Sequence, residues 1–201
     1  MVKYRFTPTA KSTLFDHLKP YRFVLVSGPH RAGTTIASAM ITNDLGYEWV
    51  EDSHDQLQAL LETYQDMKPT VFHCPTFCHT IHEYAQIPDI AAVIVMRDAA
   101  DIEASQKRIP WGFEGEQLNY YRFKADPRPA FGVCPPIATV KYRYWQEVQK
   151  PLFGDAAFEL DYEALSAHPM WVVPERRRGF TANQIEIGNP HGPKIQGRRP
   201  L

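Results

Sequence analysis

A glycine-rich stretch near the amino terminus has the residue types of a phosphate-binding loop. The segment from Phe23 to Thr35 reads FVLVSGPHRAGTT, in which an apolar run is followed by Gly28, four residues, Gly33 and two threonines. In the triphosphate-binding pattern G-x-x-x-x-G-K-[ST], the lysine reaches the β- and γ-phosphates and the following hydroxyl holds magnesium. Thr34 stands at the position of that lysine. The stretch therefore predicts an anion-binding loop that departs from the ATP-binding pattern.

Backbone amides and one cation are the groups that this loop offers to an anion. Gly28 and Gly33 permit backbone angles that turn successive N–H groups toward one point, where the positive end of a helix dipole also lies. Thr34 and Thr35 add hydroxyls at the helix start, and Arg31 adds a planar fork of donors that suits a phosphate or sulfonate oxygen. A tight strand-to-helix turn without a ligand is the alternative interpretation.

The segment GPHRAGTT resembles the phosphosulfate loop of the sulfotransferases that use 3′-phosphoadenosine 5′-phosphosulfate (PAPS). In that family Lys or Arg stands where Arg31 stands, and the loop holds one 5′-phosphate with its attached sulfonate. That donor has no γ-phosphate, so the resemblance accounts for the missing lysine. The donor-binding residues that it implies in the loop are Gly28, His30, Arg31, Ala32, Gly33, Thr34 and Thr35.

A second cationic site is expected at Arg97. Arg97 closes the apolar run AAVIVM, Asp101 lies four residues on, and Ser105 lies eight residues on. This spacing resembles the family's 3′-phosphate motif, although Ala99 and Ala100 replace its frequent Pro and basic residue. The resemblance implies that Arg97 and Ser105 bind the 3′-phosphate. A strand-end arginine paired with a neighbouring aspartate, and an ordinary helix-surface serine, are the alternatives.

A basic pair near the carboxyl terminus offers a weaker resemblance. Arg178 and Gly179 match the basic-glycine element that covers the 3′-phosphate, but the later glycine and tryptophan of the cytosolic pattern are absent. The resemblance assigns both residues to the donor site. A solvated basic run explains them equally well.

His73 is the candidate general base. Transfer of a sulfonate to an alcohol or amine requires an acceptor that loses its proton, and a histidine of near-neutral pKa suits that role. The segment TVFHCP places His73 at the carboxyl end of a predicted strand, where open parallel sheets bind ligands. It also resembles the strand-end His-x-Pro of the family's cytosolic branch. A turn-capping histidine is the alternative, and His79 and His82 fall in the next helical pattern.

Apolar runs that alternate with helical patterns predict the elements that position these residues. The runs are hydrophobic throughout, as in parallel strands covered on both faces, and the repeated strand-helix order implies right-handed crossovers. We therefore predict a single-domain, three-layer α/β sandwich with a central parallel sheet, of the P-loop nucleotide-binding type. The predicted strands are 23–26, 70–72, 91–96 and 157–160, and the predicted helices are 34–44, 54–66, 77–86, 99–107 and 137–150.

Two segments break this pattern. Residues 109–136 are rich in Pro, Gly and aromatic residues, which predicts a lid or acceptor loop inserted in a domain that spans residues 1–188. An unstructured connector is the alternative. Residues 189–201 contain three prolines and three basic residues and are expected to form an arm or tail.

The composition of the chain indicates which binding partners and which cellular compartment to expect. With 22 Lys and Arg against 23 Asp and Glu, the net charge of −1 gives no reason to expect nucleic acid or a membrane surface. The three cysteines, Cys74, Cys78 and Cys134, match no zinc pattern and indicate a reducing compartment. Without a signal-peptide core or a membrane-spanning run, the sequence predicts a cytoplasmic protein. The oligomeric state is left open.

Together these features predict a transferase. The resemblance implies that it moves a sulfonate from PAPS to a hydroxyl or amine of a small-molecule or glycan acceptor and releases the 3′,5′-bisphosphate (PAP). His73 and Arg31 would be its catalytic residues, and no metal is required. The alternatives are a small-molecule P-loop kinase and a sulfotransferase-like nucleotide-binding protein without activity.

Overall fold

A parallel sheet lies at the centre of the computed structural model, which describes residues 10–51, 53–108 and 137–171. Within these residues the sheet has five strands in the order β2-β3-β1-β4-β5, and every neighbouring pair is parallel. This architecture confirms the predicted α/β fold with a central parallel sheet. The strands are β1 (Phe23–Ser27), β2 (Glu48–Glu51), β3 (Thr70–His73), β4 (Ile90–Met96) and β5 (Ala157–Asp161).

Helices cover both faces of the sheet. The α-helices of the described residues are α1 (Thr34–Leu45), α2 (His54–Thr63), α3 (Ala99–Lys107), α4 (Ile137–Tyr144) and α5 (Lys150–Phe153). A π-helical segment, Trp145–Gln149, joins α4 to α5. Short 3-10 helices lie at Asp16–Leu18, Tyr64–Asp66, Pro75–Phe77, Ile81–Tyr84, Gly154–Ala156 and Tyr162–Ala167.

The helix predicted over residues 77–86 was wrong. Two 3-10 helices replace it, because the chain there closes turns of three residues, as in the bond from the Cys78 amide to the Pro75 carbonyl. Thr80 adds to this effect: its amide and its hydroxyl both donate to the Phe77 carbonyl, at 2.9 and 3.2 Å. That carbonyl is therefore engaged before an α-helix can use it.

Strand β2 was missed by the sequence analysis. Its four residues, EWVE, contain charged side chains at both ends, and only Trp49 is buried. An edge strand needs just one apolar face, so a run this short gives little periodicity. The register with β3 pairs Glu48 with Thr70 and Glu51 with His73.

Alternating strand residues divide the core into two layers. Val24 and Val26 of β1 pack on the side of α1, with Met40 and Ile41 among their fully buried neighbours. Phe23 and Leu25 face the other layer, which α2 and the helical region after α4 cover. Burial on both faces explains why these strands are apolar throughout.

A buried polar cluster fastens both ends of the described chain to α1. The Asp44 carboxylate accepts hydrogen bonds from Ser12 Oγ at 2.6 Å and from His168 Nε2 at 3.1 Å. His168 Nδ1 accepts the Met170 amide at 3.0 Å, so the ring proton is on Nε2. Burial opposes ionisation of Asp44, but the hydrogen bonds from Ser12, His168 and Asn43 outweigh it and lower its pKa below 3.8.

Several predictions concern residues that the structure does not describe or does not test. The segment 109–136, the tail 189–201, Cys134, Arg178 and Gly179 lie outside the described residues. Within the described ones, Cys74 and Cys78 are buried. No helix there is both long enough and apolar enough to cross a membrane.

Candidate anion-binding and transfer site

The carboxyl edge of the sheet places the predicted site residues at one end of the fold. From β1 the chain leaves toward β2 at one edge, whereas from its two neighbours β3 and β4 it leaves toward the other edge. Ligands of open parallel sheets bind in the crevices created where the connections diverge in this way. The loop 28–33, His73 and Arg97 follow or end these three central strands.

The loop adopts backbone conformations that explain its glycines. Gly28, Arg31 and Gly33 have positive φ angles of 143°, 78° and 101°. A Cβ atom at Gly33 would lie 2.4 Å from the ring of Tyr162, so that position needs glycine for space as well as for conformation. The positive φ of Arg31 is rare for a residue with a side chain, and such conformations concentrate at functional sites.

Helix α1 differs from the two helices that follow it in how its amino terminus is capped. Ser53 caps α2 and Asp98 caps α3, each through a side-chain oxygen that accepts backbone N–H groups. At α1 the cap is Gly33, which makes no side-chain cap bond, and the first turn holds no acidic residue. The first N–H groups of a helix lack partners within it. The α1 terminus therefore offers donors and a positive dipole to an anion.

The two predicted cationic motifs meet at this loop. Arg31 Nε donates to Ser105 Oγ at 3.2 Å, and Arg97 Nη1 donates to the Arg31 carbonyl at 3.1 Å. The Gln106 side chain donates to the carbonyl of His30 at 3.0 Å. Arg31 and Ser105 are 74 positions apart in the chain. Their hydrogen bond therefore joins the loop to α3.

Arg97 is held on several sides. Its guanidinium lies over the Tyr162 ring, 4.4 Å from the centroid, and Nη2 is 3.6 Å from Asp101. Its amide donates to the Tyr142 hydroxyl at 2.9 Å, and that hydroxyl donates to the Val95 carbonyl at 3.1 Å. Burial raises the pKa of Tyr142 to about 12, so the hydroxyl keeps its proton for this bond. Arg97 Nε is buried and has no hydrogen-bond partner among the described residues.

His73 contacts the hydroxyls at the start of α1. Its Nε2 lies 3.0 Å from Thr34 Oγ1 and 3.4 Å from Thr35 Oγ1. The residue is only 5% exposed, which was not anticipated for a base open to an acceptor. Burial and, to a smaller extent, the charge of nearby His30 lower the pKa of His73 from 6.5 to about 3. The imidazole is therefore neutral at neutral pH and carries a lone pair.

Ten predicted site residues lie in this region, and the structure adds others. The described members are Gly28, His30, Arg31, Ala32, Gly33, Thr34, Thr35, His73, Arg97 and Ser105. By contrast, His82 contacts Gln149 and the Tyr144 ring instead of the loop. The residues that sequence reasoning missed are Glu51, Gln106 and Tyr142, because their roles come from tertiary contacts. Recognition of β2 would have placed Glu51 beside His73.

The chain has little similarity to known proteins. No protein-family model matches it, and no curated protein matches it. Among solved structures it is similar to shikimate kinase from Acinetobacter baumannii in complex with shikimate, at 15% sequence identity and a TM-score of 0.38. That similarity covers 72% of this chain and 85% of the kinase chain. It is too low to assign a substrate or a reaction, and it lends no support to the resemblance to sulfotransferases.

Gly33→Ala tests the packing of the loop against Tyr162. The added Cβ meets both a strained φ and an aromatic ring, so we expect a loss of about 3 kcal/mol in the free energy of unfolding. Gly46→Ala is the matched control, since Gly46 also has a left-handed φ of 72° but its nearest contact would be 3.9 Å away. We expect a loss of about 1 kcal/mol there. Urea unfolding measures both, and equal losses would contradict the contact.

The low pKa of His73 predicts a dependence of stability on pH. Between pH 6.5 and about pH 3 the unfolded chain binds a proton at His73 that the folded protein does not bind. The contribution of His73 to the free energy of unfolding therefore falls by about 1.5 kcal/mol over the first one and a half pH units below 6.5, and the fall continues to about pH 3. In urea unfolding, the free energy of unfolding of the His73→Gln variant should lack this part of the dependence on pH. Asp44 and Glu159, whose pKa values are lowered, lose their contributions at more acidic pH. Identical slopes in both proteins would show that His73 is not buried as described.

Proposed function

We propose that the protein binds PAPS and transfers its sulfonate to a hydroxyl or amine of an acceptor. The observation that carries the proposal is the hydrogen-bonded unit formed by Arg31, Ser105 and Arg97 beside the uncapped start of α1. A donor with a phosphosulfate at one position and a phosphate at another requires two anion sites at a short distance from each other. The loop and the Arg97 region are the two candidates for these sites.

The donor set suits both anionic groups. At the loop, backbone N–H groups, the Arg31 guanidinium and the Thr35 hydroxyl can surround a phosphosulfate. At the second site, Arg97 Nε is a buried donor without a protein partner in the described residues, and Ser105 adds a hydroxyl. An unpaired buried donor is costly unless something accepts from it. A 3′-phosphate is an acceptor of suitable charge.

The protein residues would divide the transfer reaction among them. When bound, PAPS supplies an electrophilic sulfur and a phosphate leaving group. His73 would take the acceptor's proton at Nε2, through the threonine hydroxyls that contact it, as the acceptor atom bonds to sulfur. Burial lowers the pKa of His73 to about 3, and the negative charge of a bound donor would oppose that effect because it favours the protonated imidazole. The electron pair of the breaking S–O bond goes to the phosphate oxygen, where Arg31 and the loop amides stabilise the developing charge. Such preorganised donors contribute about 3 kcal/mol each to lowering a barrier.

A small-molecule kinase is the second candidate. Thr35 follows the position of the missing lysine, which is where the triphosphate-binding pattern has its magnesium-holding hydroxyl. The Thr35 Oγ1 lies 3.4 Å from His73 Nε2, whereas the Thr34 Oγ1 lies 3.0 Å away. Thr35 is therefore less engaged with His73 and is the more available hydroxyl for a magnesium ion. Binding of ATP that depends on magnesium would favour this function.

Calorimetry with PAP, adenosine 5′-phosphate and ATP with magnesium separates the two candidates. If the donor is PAPS, PAP should bind most tightly. Arg97→Ala should then weaken PAP by about 10- to 100-fold, the cost of losing hydrogen bonds to a charged group, and change adenosine 5′-phosphate by less than about threefold. Arg108→Ala is the matched control, because Arg108 is an exposed arginine at the carboxyl end of α3, the helix that begins just after Arg97.

Three results would contradict the proposal. Tighter binding of ATP with magnesium than of PAP would assign the loop to a triphosphate. Equal losses of PAP and adenosine 5′-phosphate in Arg97→Ala would make Arg97 a structural residue. Strong PAP binding without transfer to any of a broad panel of acceptors would instead identify an inactive binding protein.

A further inference from the structure

The two ring nitrogens of His73 have different surroundings. Nε2 faces the hydroxyls of Thr34 and Thr35, whereas Nδ1 is buried and has no hydrogen-bond partner among the described residues. Among the described residues, Glu51 is the acidic group near Nδ1, and its Oε1 lies 3.8 Å away. A neutral imidazole carries one donor nitrogen and one acceptor nitrogen, so the position of its proton decides what each side can do.

The fold presents Glu51 to this ring. Glu51 ends β2 and lies opposite His73 in the parallel register, so both side chains leave the sheet at its carboxyl edge. The Trp49 ring packs edge-on against the imidazole, with centroids 6.3 Å apart at an interplanar angle of 75°. Trp49 on one side and the α1 threonines on another fix the ring. The Glu51 side chain is one-third exposed, so a small rotation of it can close the 3.8 Å gap.

We propose that Glu51 is a positioning residue that holds His73 in the tautomer with its proton on Nδ1. A carboxylate only accepts hydrogen bonds, so an Nδ1–H group facing Glu51 is attracted, whereas an Nδ1 lone pair would be repelled. A second histidine, His30, acts on the ring from the loop through its charge. His30 does not supply an acceptor at Nδ1 among the described contacts.

This tautomer has consequences for the loop. Nε2 carries the lone pair, and the Thr34 hydroxyl donates to it at 3.0 Å, which leaves Thr35 as the hydroxyl donor for an anion. The opposite tautomer would place a proton on Nε2 and prevent proton uptake there. The catalytic meaning of Glu51 therefore rests on the proposed function, but the tautomer is a property of the protein without donor or acceptor.

Nitrogen-15 NMR of the full chain with labelled histidine reads the tautomer directly. His73→Gln assigns the His73 signals at neutral pH. In the unmodified protein Nδ1 should have the shift of a protonated nitrogen and Nε2 that of an unprotonated one. In Glu51→Ala the Nδ1 signal should move toward the unprotonated position. Glu51→Met is a second variant that keeps the side-chain volume. Glu48→Ala is the matched control, since Glu48 lies on the same strand, is exposed and pairs with Lys68 at 3.2 Å.

The possible outcomes separate clearly. A protonated Nδ1 that is lost in both Glu51 variants and kept in Glu48→Ala supports the proposal. A proton on Nε2 in the unmodified protein, or an unchanged Nδ1–H signal in either folded Glu51 variant, overturns it. Failure to transfer a sulfonate would leave this spectrum unchanged, so the two proposals can fail independently.

Discussion

The contact of Tyr162 with the loop is the constraint on which the rest of the site depends. The ring occupies the space where a Cβ of residue 33 would lie, which requires glycine there and brings the backbone close. Arg97 stacks on the same ring, at 4.4 Å, and donates to the Arg31 carbonyl. Arg31, held in a left-handed conformation, in turn extends its side chain to Ser105. The position of the Tyr162 ring therefore affects the shape of the loop and the placement of both Arg31 and Arg97.

This arrangement carries local backbone strain and leaves some buried polar groups without hydrogen bonds to the described residues. Arg31 has an unfavourable φ, Arg97 Nε and His73 Nδ1 are buried without partners in the described structure, and α1 has no side-chain cap. Without a bound ligand, each of these features lowers the stability of the folded state. Their concentration at one edge of the sheet is the physical reason to regard this edge as a binding site, because an anion would satisfy several of them at once.

Sequence reasoning succeeded where a residue's environment follows from its neighbours in the chain. The apolar runs predicted four of the five strands, and they placed the loop, His73 and Arg97 each at the end of a strand. It failed where tertiary contacts decide. The burial of His73 behind two threonines and the position of Glu51, 3.8 Å from the ring, have no periodic signature. The Thr80 hydroxyl, which competes locally for the Phe77 carbonyl, is also invisible to a hydrophobic period.

The central claim is that the loop holds one half of the donor and the Arg97 region holds the other. A crystal structure of the protein with adenosine 3′,5′-bisphosphate tests this claim most directly. The account predicts the 5′-phosphate against the amides at the start of α1 and the 3′-phosphate within hydrogen-bonding distance of Arg97 and Ser105. A 5′-phosphate in the loop with the 3′-phosphate directed into solvent, away from both residues, would contradict it.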